Sequence, residues 1–273
     1  MYYRIFLFVF SLALLACCGN SSEPPAQDMT DFVDDQAFKD AHDDSRAASA
    51  NFSGEMIDIP VTNGDAGKAY ALMAEAESQD YLLVIHEWWG LNDNIREEAE
   101  RLYGALENTN VLALDLYDGK VATDPDQASE FMQSVKEARA RAIIEGALAM
   151  AGPYAKIATI GWCFGGGWSL KASIMAGDRG QACVMYYGMP VQKADQLAPL
   201  QAPILGIFAE KDGWITPRMA NDFKSLAEAT GKSIEIHQFE ADHAFANPSN
   251  PAYNESVAQE ANALALAFLK ENI

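Results

Sequence analysis

From residue 52 onward, short apolar runs alternate with amphipathic stretches, and that rhythm leaves few folds open. Residues 81–86 and 111–115 are nearly continuous apolar runs, the length and character of strands covered on both faces. Residues 55–59 and 69–75 read as two earlier strands across the turn Asn63-Gly64-Asp65. Further strands are predicted at 157–160, 182–187, 204–209 and 233–239. Helical spacing fills the intervals at 94–106, 126–134, 136–150, 165–176, 217–230 and 252–272; in the first of these, Ile95, Ala99 and Leu102 share one face. Strands alternating with helices predict one α/β domain over 52–273, a doubly wound, mostly parallel sheet with helices on both faces. In such sheets, sites open at the carboxyl ends of the strands. The residues just beyond each strand are therefore the candidates.

The chain before residue 52 has a different character. Arg4 precedes an apolar run, 5–16, that is too short to span a bilayer. It ends in Leu14-Leu15-Ala16-Cys17, which resembles the lipobox of bacterial lipoproteins. A signal peptide over 1–16 with lipidation at Cys17 is expected, a plain cleaved signal peptide being the alternative. Residues 17–51 carry Pro24-Pro25 and seven aspartates, with only Phe32, Val33 and Phe38 to bury, and read as an acidic flexible linker. The expected location is the periplasmic side of a bacterial cell envelope, anchored through Cys17, or soluble there without the lipid.

Nineteen Lys and Arg against 39 Asp and Glu leave a net charge of −20. That field repels nucleic acid and anionic membrane surfaces, so membrane contact is expected only through the anchor. A monomer is expected, although no sequence feature fixes the oligomeric state. Of four cysteines, Cys17 and Cys18 belong to the processing site. Cys163 and Cys183 remain, both expected to be free thiols. No His, Cys and Asp grouping has metal-ligand spacing, so neither metal nor other cofactor is expected.

Gly161-Trp162-Cys163-Phe164-Gly165 sits between a predicted strand and a predicted helix. It is the G-x-S-x-G nucleophile elbow with Cys in place of Ser. The following helix aims its first amides at the thiol, favouring thiolate and leaving the Phe164 N–H to hold an oxyanion. Among four histidines, His243 follows the strand ending at residue 239 and precedes the last helix, where a base belongs in the order nucleophile, acid, histidine. His42 lies in the linker, His237 within a strand, and His86 at a strand end. The acid belongs at the end of strand 204–209. Asp212, just before Gly213 and a Pro-initiated helix, is preferred over Glu210; Asp242 points the wrong way to orient its neighbour's ring.

Together, His86-Glu87-Trp88-Trp89-Gly90-Leu91-Asn92, the Cys163 elbow, Asp212 and His243 resemble the dienelactone hydrolase family over residues 55–270. The resemblance implies the α/β-hydrolase fold without a large lid. It implies that Glu87 takes part in forming the thiolate and that the Trp88 N–H is the second oxyanion donor; helix capping is the plainer role for Glu87. His86 is expected to support rather than react. Enzymes of that family acting on dienelactone hold its carboxylate with two arginines, one after the Asp-Leu-Tyr strand end and one four residues past the histidine. Here Lys120 and Asn247 stand near or at those places, and neither replaces a bidentate clamp. The expected substrate is a small uncharged or apolar ester, thioester or lactone, in a pocket drawn from Trp89, Trp162, Trp214 and Phe245 with Lys120 and Asn247. Core packing is the plain alternative for the aromatics. Two rival functions are a thiol-binding or redox-sensing envelope protein, opposed by the lack of C-x-x-C, and a non-catalytic lipoprotein on a hydrolase scaffold, opposed by the intact Cys, Asp and His order.

Overall fold

The computed structural model describes residues 28–42 and 52–273. The expected signal segment 1–16, the lipidation site Cys17 and the rest of the expected linker lie outside the described residues.

Ahead of the sheet comes a short helix, α1 (Gln36–Asp40). The strands and helices then follow as β1 (Glu55–Ile59), β2 (Gly67–Leu72), β3 (Asp80–Ile85), α2 (Asp93–Ala105), β4 (Asn110–Asp115), α3 (Pro125–Ser134) and α4 (Glu137–Ala151). The second half comprises β5 (Lys156–Trp162), α5 (Phe164–Ala176), β6 (Gly180–Tyr186), α6 (Ala194–Leu197), β7 (Ile204–Ala209), α7 (Pro217–Ala229), β8 (Ile234–Phe239) and α8 (Glu255–Asn272). The eight strands form one sheet in the order β1-β2-β4-β3-β5-β6-β7-β8. Only the pairings of β2 with β1 and with β4 are antiparallel. The predicted α/β, doubly wound architecture is present.

Both faces of the sheet are covered. On β6, Cys183 lies 4.0 Å from Ser169 of α5, while Tyr186 donates to Asn262 of α8 at 2.9 Å. Positions three apart on a strand face opposite ways, so α5 and α8 lie on opposite faces. Double coverage explains why β4 and β7 are buried at every position and β3 over its last four. It also explains their unbroken apolar character. The polar exceptions are the two ends of β4: Asn110 donates to the Ser78 and Asp80 carbonyls at 3.2 and 3.1 Å, and Asp115 accepts from the Tyr117 and Gly119 amides at 2.9 and 2.6 Å.

Residues 28–42 depart from the solvated linker expected of them. Met29, Val33, Phe38 and His42 are each at most 3% exposed. Two of the aspartates that gave the segment its soluble look, Asp28 and Asp35, are caps and tethers. Asp28 caps a 3₁₀ turn over Met29–Phe32, and Asp35 caps α1. Asp35 also accepts from Trp214 Nε1 at 2.9 Å; Asp28 pairs with Lys171 at 3.3 Å, and Lys39 with Asp126 at 2.8 Å. Few apolar residues suffice because they land in a hollow the domain already supplies.

Candidate active site

Cys163 stands where β5 turns into α5, with φ +53° and ψ −119°. A left-handed backbone is costly for a side-chain-bearing residue and is kept where neighbours force it. Here they do. The Cys163 N–H donates to Tyr186 O at 3.0 Å, and its carbonyl accepts from the Gly166 N–H at 3.0 Å. A Cβ on Gly161 would collide with the Gly165 carbonyl, and one on Gly165 with the carbonyls of Ile85 and His86. The glycines let the turn close against β3, and the sulfur is carried to the middle of the sheet's carboxyl edge.

His243, beyond β8, donates from Nδ1 to Asp212 Oδ2 at 2.5 Å. Asp212, beyond β7, accepts with Oδ1 from the Trp214 and Ile215 amides at 2.9 Å each. Both are almost wholly buried, and His243 Nε2 makes no hydrogen bond. A ring nitrogen of His243 lies within 4.8 Å of the Cys163 sulfur. Burial works against charge on His243, but Asp212 and then Cys163 reverse it and hold the ring well above its usual range. Burial pushes the Cys163 thiol up, against the pull of His243 and the Phe164 N–H, while Glu87 adds to the rise.

Glu87 follows β3 and is 5% exposed. Tyr187 donates its hydroxyl to Oε1 at 3.3 Å, and Asn247 donates to Oε2. Burial lifts its carboxyl to about 7, although His243, Asn247 and Tyr187 each pull it down. Glu87 is thus ready to hold or release a proton near neutrality. It makes no contact that caps α2; Asn92 does that, accepting from the Ile95 amide at 3.1 Å. His86 accepts with Nε2 from the Leu116 amide at 3.1 Å and donates from Nδ1 to Glu87 O at 2.5 Å. It ties the ends of β3 and β4 together.

The segment 28–42 roofs this cluster. Phe38 packs edge-on to Trp88 and Trp214, at 5.3 and 5.2 Å between centroids, and 5.9 Å from the His243 ring. His42 lies 5.2 Å from His243 and 4.7 Å from Trp88. Its Nδ1 bonds to Phe38 O at 2.6 Å, and Nε2 has no partner. Burial, then repulsion from His243, lowers its pKa to about 3, so the ring is neutral. Beneath this roof Cys163 is 1% exposed.

Residues 68–273 match the dienelactone hydrolase family. The chain belongs to that family. Membership makes it a hydrolase of esters or lactones. Protein usf of Aquifex pyrophilus is 31% identical over 70% of this chain and 87% of its own length. Carboxymethylenebutenolidase 1 of Cupriavidus pinatubonensis is 26% identical over 78% of this chain and 95% of its own. Among solved structures, a dienelactone hydrolase-like promiscuous phosphotriesterase from metagenomic libraries superposes with a TM-score of 0.69. It is 21% identical over 80% of this chain and 98% of its own, a likeness of fold alone.

Against that family background, the pocket residues separate. Trp89, Trp162 and Asn247 line a cavity that reaches Glu87 from the α2 side. Trp214 instead belongs to the roof, through Phe38 and Asp35. Phe245 is fully buried against Tyr187 and Phe239. Lys120 is exposed, its ammonium 5.1 Å over the Phe131 ring. Asn247 donates its side-chain amide to Glu87 Oε2. Arg101 lines the cavity but is engaged by Glu98 through both Nε and Nη2. Sequence reasoning missed Tyr187, Phe38 and His42. Aspartates at helix-capping spacing before Phe38 were the available signal for the last two.

Proposed function

We propose that this hydrolase cleaves a small, uncharged or apolar ester, thioester or lactone with Cys163 as its nucleophile. The observation that carries the reading is the strained Cys163 elbow facing His243, whose far nitrogen is held by Asp212. The thiol yields its proton to His243, with Glu87 able to take or return it, and the thiolate attacks the carbonyl carbon. The Phe164 and Trp88 amides hold the oxyanion. Collapse expels the alcohol or thiol, which takes the proton from His243, and an acyl-Cys163 remains. His243 then removes a proton from water, the hydroxide attacks the acyl carbon, and the acid leaves as Cys163 recovers its proton. Asp212 fixes the His243 tautomer throughout.

The cavity lined by Glu87, Trp89, Trp162 and Asn247 is the room we assign to the substrate. With Arg101 occupied by Glu98, it offers no free cation for a substrate carboxylate, which favours an uncharged substrate. The sequence alone supports the companion reading of a monomer tethered through Cys17 on the periplasmic side of the envelope. Turnover of short-chain p-nitrophenyl esters by wild type, Cys163→Ala and His243→Ala tests the mechanism. Both variants are expected to lose turnover and, for wild type, mass spectrometry to catch an acyl group on Cys163. Full activity in Cys163→Ala would sink the proposal.

A further inference from the structure

We propose that Cys163, His42 and His243 together form a binding site for a thiophilic divalent cation, Zn²⁺ fitting best, and that the bound ion locks the roof over the active site. One ring nitrogen of each histidine and the Cys163 sulfur lie within 4.8 Å of one another, and all three residues are buried. Two independent features point to a ligand. His42 Nε2 and His243 Nε2 are buried nitrogens with no hydrogen-bond partner. Each ring is already committed at its other nitrogen, His42 to the Phe38 carbonyl and His243 to the Asp212 carboxylate. Carbonyl- and carboxylate-oriented imidazoles with a free far nitrogen are the outer-shell arrangement that metal sites use to fix tautomer and aim.

The donor set selects the ion. A thiolate and two imidazoles favour Zn²⁺ over Mg²⁺ or Ca²⁺, which take oxygen ligands. Zn²⁺ sits about 2.0–2.3 Å from such donors, which puts tetrahedral donors about 3.5 Å apart. The three atoms therefore need to close by at most about 1.3 Å. On binding, the Cys163 thiol proton and the proton that His243 carries on Nε2 both pass to solvent, and water completes the fourth position.

His42 is the ligand that couples the ion to the roof, because it lies in residues 28–42 and not at a strand end. An ion bound by all three residues ties residues 28–42 down while occupying the sulfur. That inhibition rests on Cys163 being the nucleophile; the metal site itself does not.

The test uses the full chain, stripped with a chelator and titrated with Co²⁺, followed by thiolate-to-cobalt charge-transfer absorption and displacement with Zn²⁺. We expect one equivalent to bind, the charge-transfer band to be absent in Cys163→Ser, and Zn²⁺ affinity to fall at least tenfold in His42→Gln. His237→Gln, on β8, should bind as wild type does. X-ray absorption of the zinc-loaded wild type should report one sulfur and two imidazoles, a reading independent of whether the His42 variant keeps its roof. No cobalt band, or a single imidazole, overturns the proposal, as does unchanged affinity in a folded His42→Gln. Ester turnover without a cobalt band refutes the metal site alone; a cobalt band without turnover refutes only the hydrolytic reading.

Discussion

Asp212→Asn changes a single atom in a place where the structure dictates how the new side chain must sit. Oδ1 is claimed by two amides, Trp214 and Ile215, at 2.9 Å each. Asparagine must keep its oxygen there, so its NH₂ replaces Oδ2, 2.5 Å from His243 Nδ1. An amide N–H cannot accept from the ring, and His243 must move its proton to Nε2. The nitrogen facing Cys163 then offers a hydrogen where a lone pair is needed, and the charge that favours the imidazolium is gone. The equivalent exchange in a serine protease lowers the rate about 10⁴-fold, or about 5.4 kcal/mol at 1.36 kcal/mol per tenfold. We expect kcat on a short-chain p-nitrophenyl ester to fall by about that factor, with KM little changed. Asp242→Asn, altering the exposed neighbour of His243, should retain activity. If folded Asp212→Asn keeps more than roughly a tenth of the wild-type rate, the orienting role is wrong.

Glu87→Gln should alter the pH dependence of stability. Glu87 rises from 4.5 to about 7 on folding, so the folded state binds its proton more tightly. That contribution is complete below about pH 4.5 and fades as pH rises to 7. It is worth about 3 kcal/mol for so buried a group. Urea unfolding at pH 4 to 8 should show the variant gaining on wild type across that window, and parallel profiles would refute it. Phe38→Ala should cost about 3–5 kcal/mol of packing in the roof and raise the alkylation rate of Cys163 by iodoacetamide at least tenfold, read by mass spectrometry; an unchanged rate would mean that Phe38 does not guard the thiol. Gly165→Ala should cost about 3 kcal/mol or more, because its Cβ meets two backbone carbonyls of the β3 end that cannot step aside; a melting temperature equal to wild type would contradict that geometry.

The sheet was legible because burial on both faces writes itself as unbroken apolar runs. Where strand ends differ, pairing explains it. The strand predicted to reach residue 75 stops at Leu72, which pairs with Val111 next to the start of β4 at Asn110. Beyond that point the Ala74 amide turns to the Asn110 side chain at 3.1 Å. The last helix begins at Glu255 and not 252, since Asn254 caps it by accepting from the Val257 amide. Cys163, Asp212 and His243 were candidates because strand ends were legible, and a parallel sheet gathers those ends on one edge; Glu87 entered only through the family resemblance. The roof was not. Its aspartates carry the composition of a solvated chain, and only three dimensions reveal Asp28 and Asp35 as caps and as partners of Lys171 and Trp214. Tyr187 was hidden likewise: its link to Glu87 spans 100 residues of sequence.

The roof also governs how the thiol ages. An open, ionisable cysteine reacts with peroxide to a sulfenic acid and then, irreversibly, to a sulfinic acid. Beneath Phe38 and His42, Cys163, 1% exposed, is screened from such oxidants. The family match begins at residue 68, and both the roof and β1 precede it. A fragment trimmed to those bounds keeps Cys163, Asp212 and His243 and loses their shelter. Shelf life under air, more than initial rate, is the property on which the trimmed and full-length proteins should part.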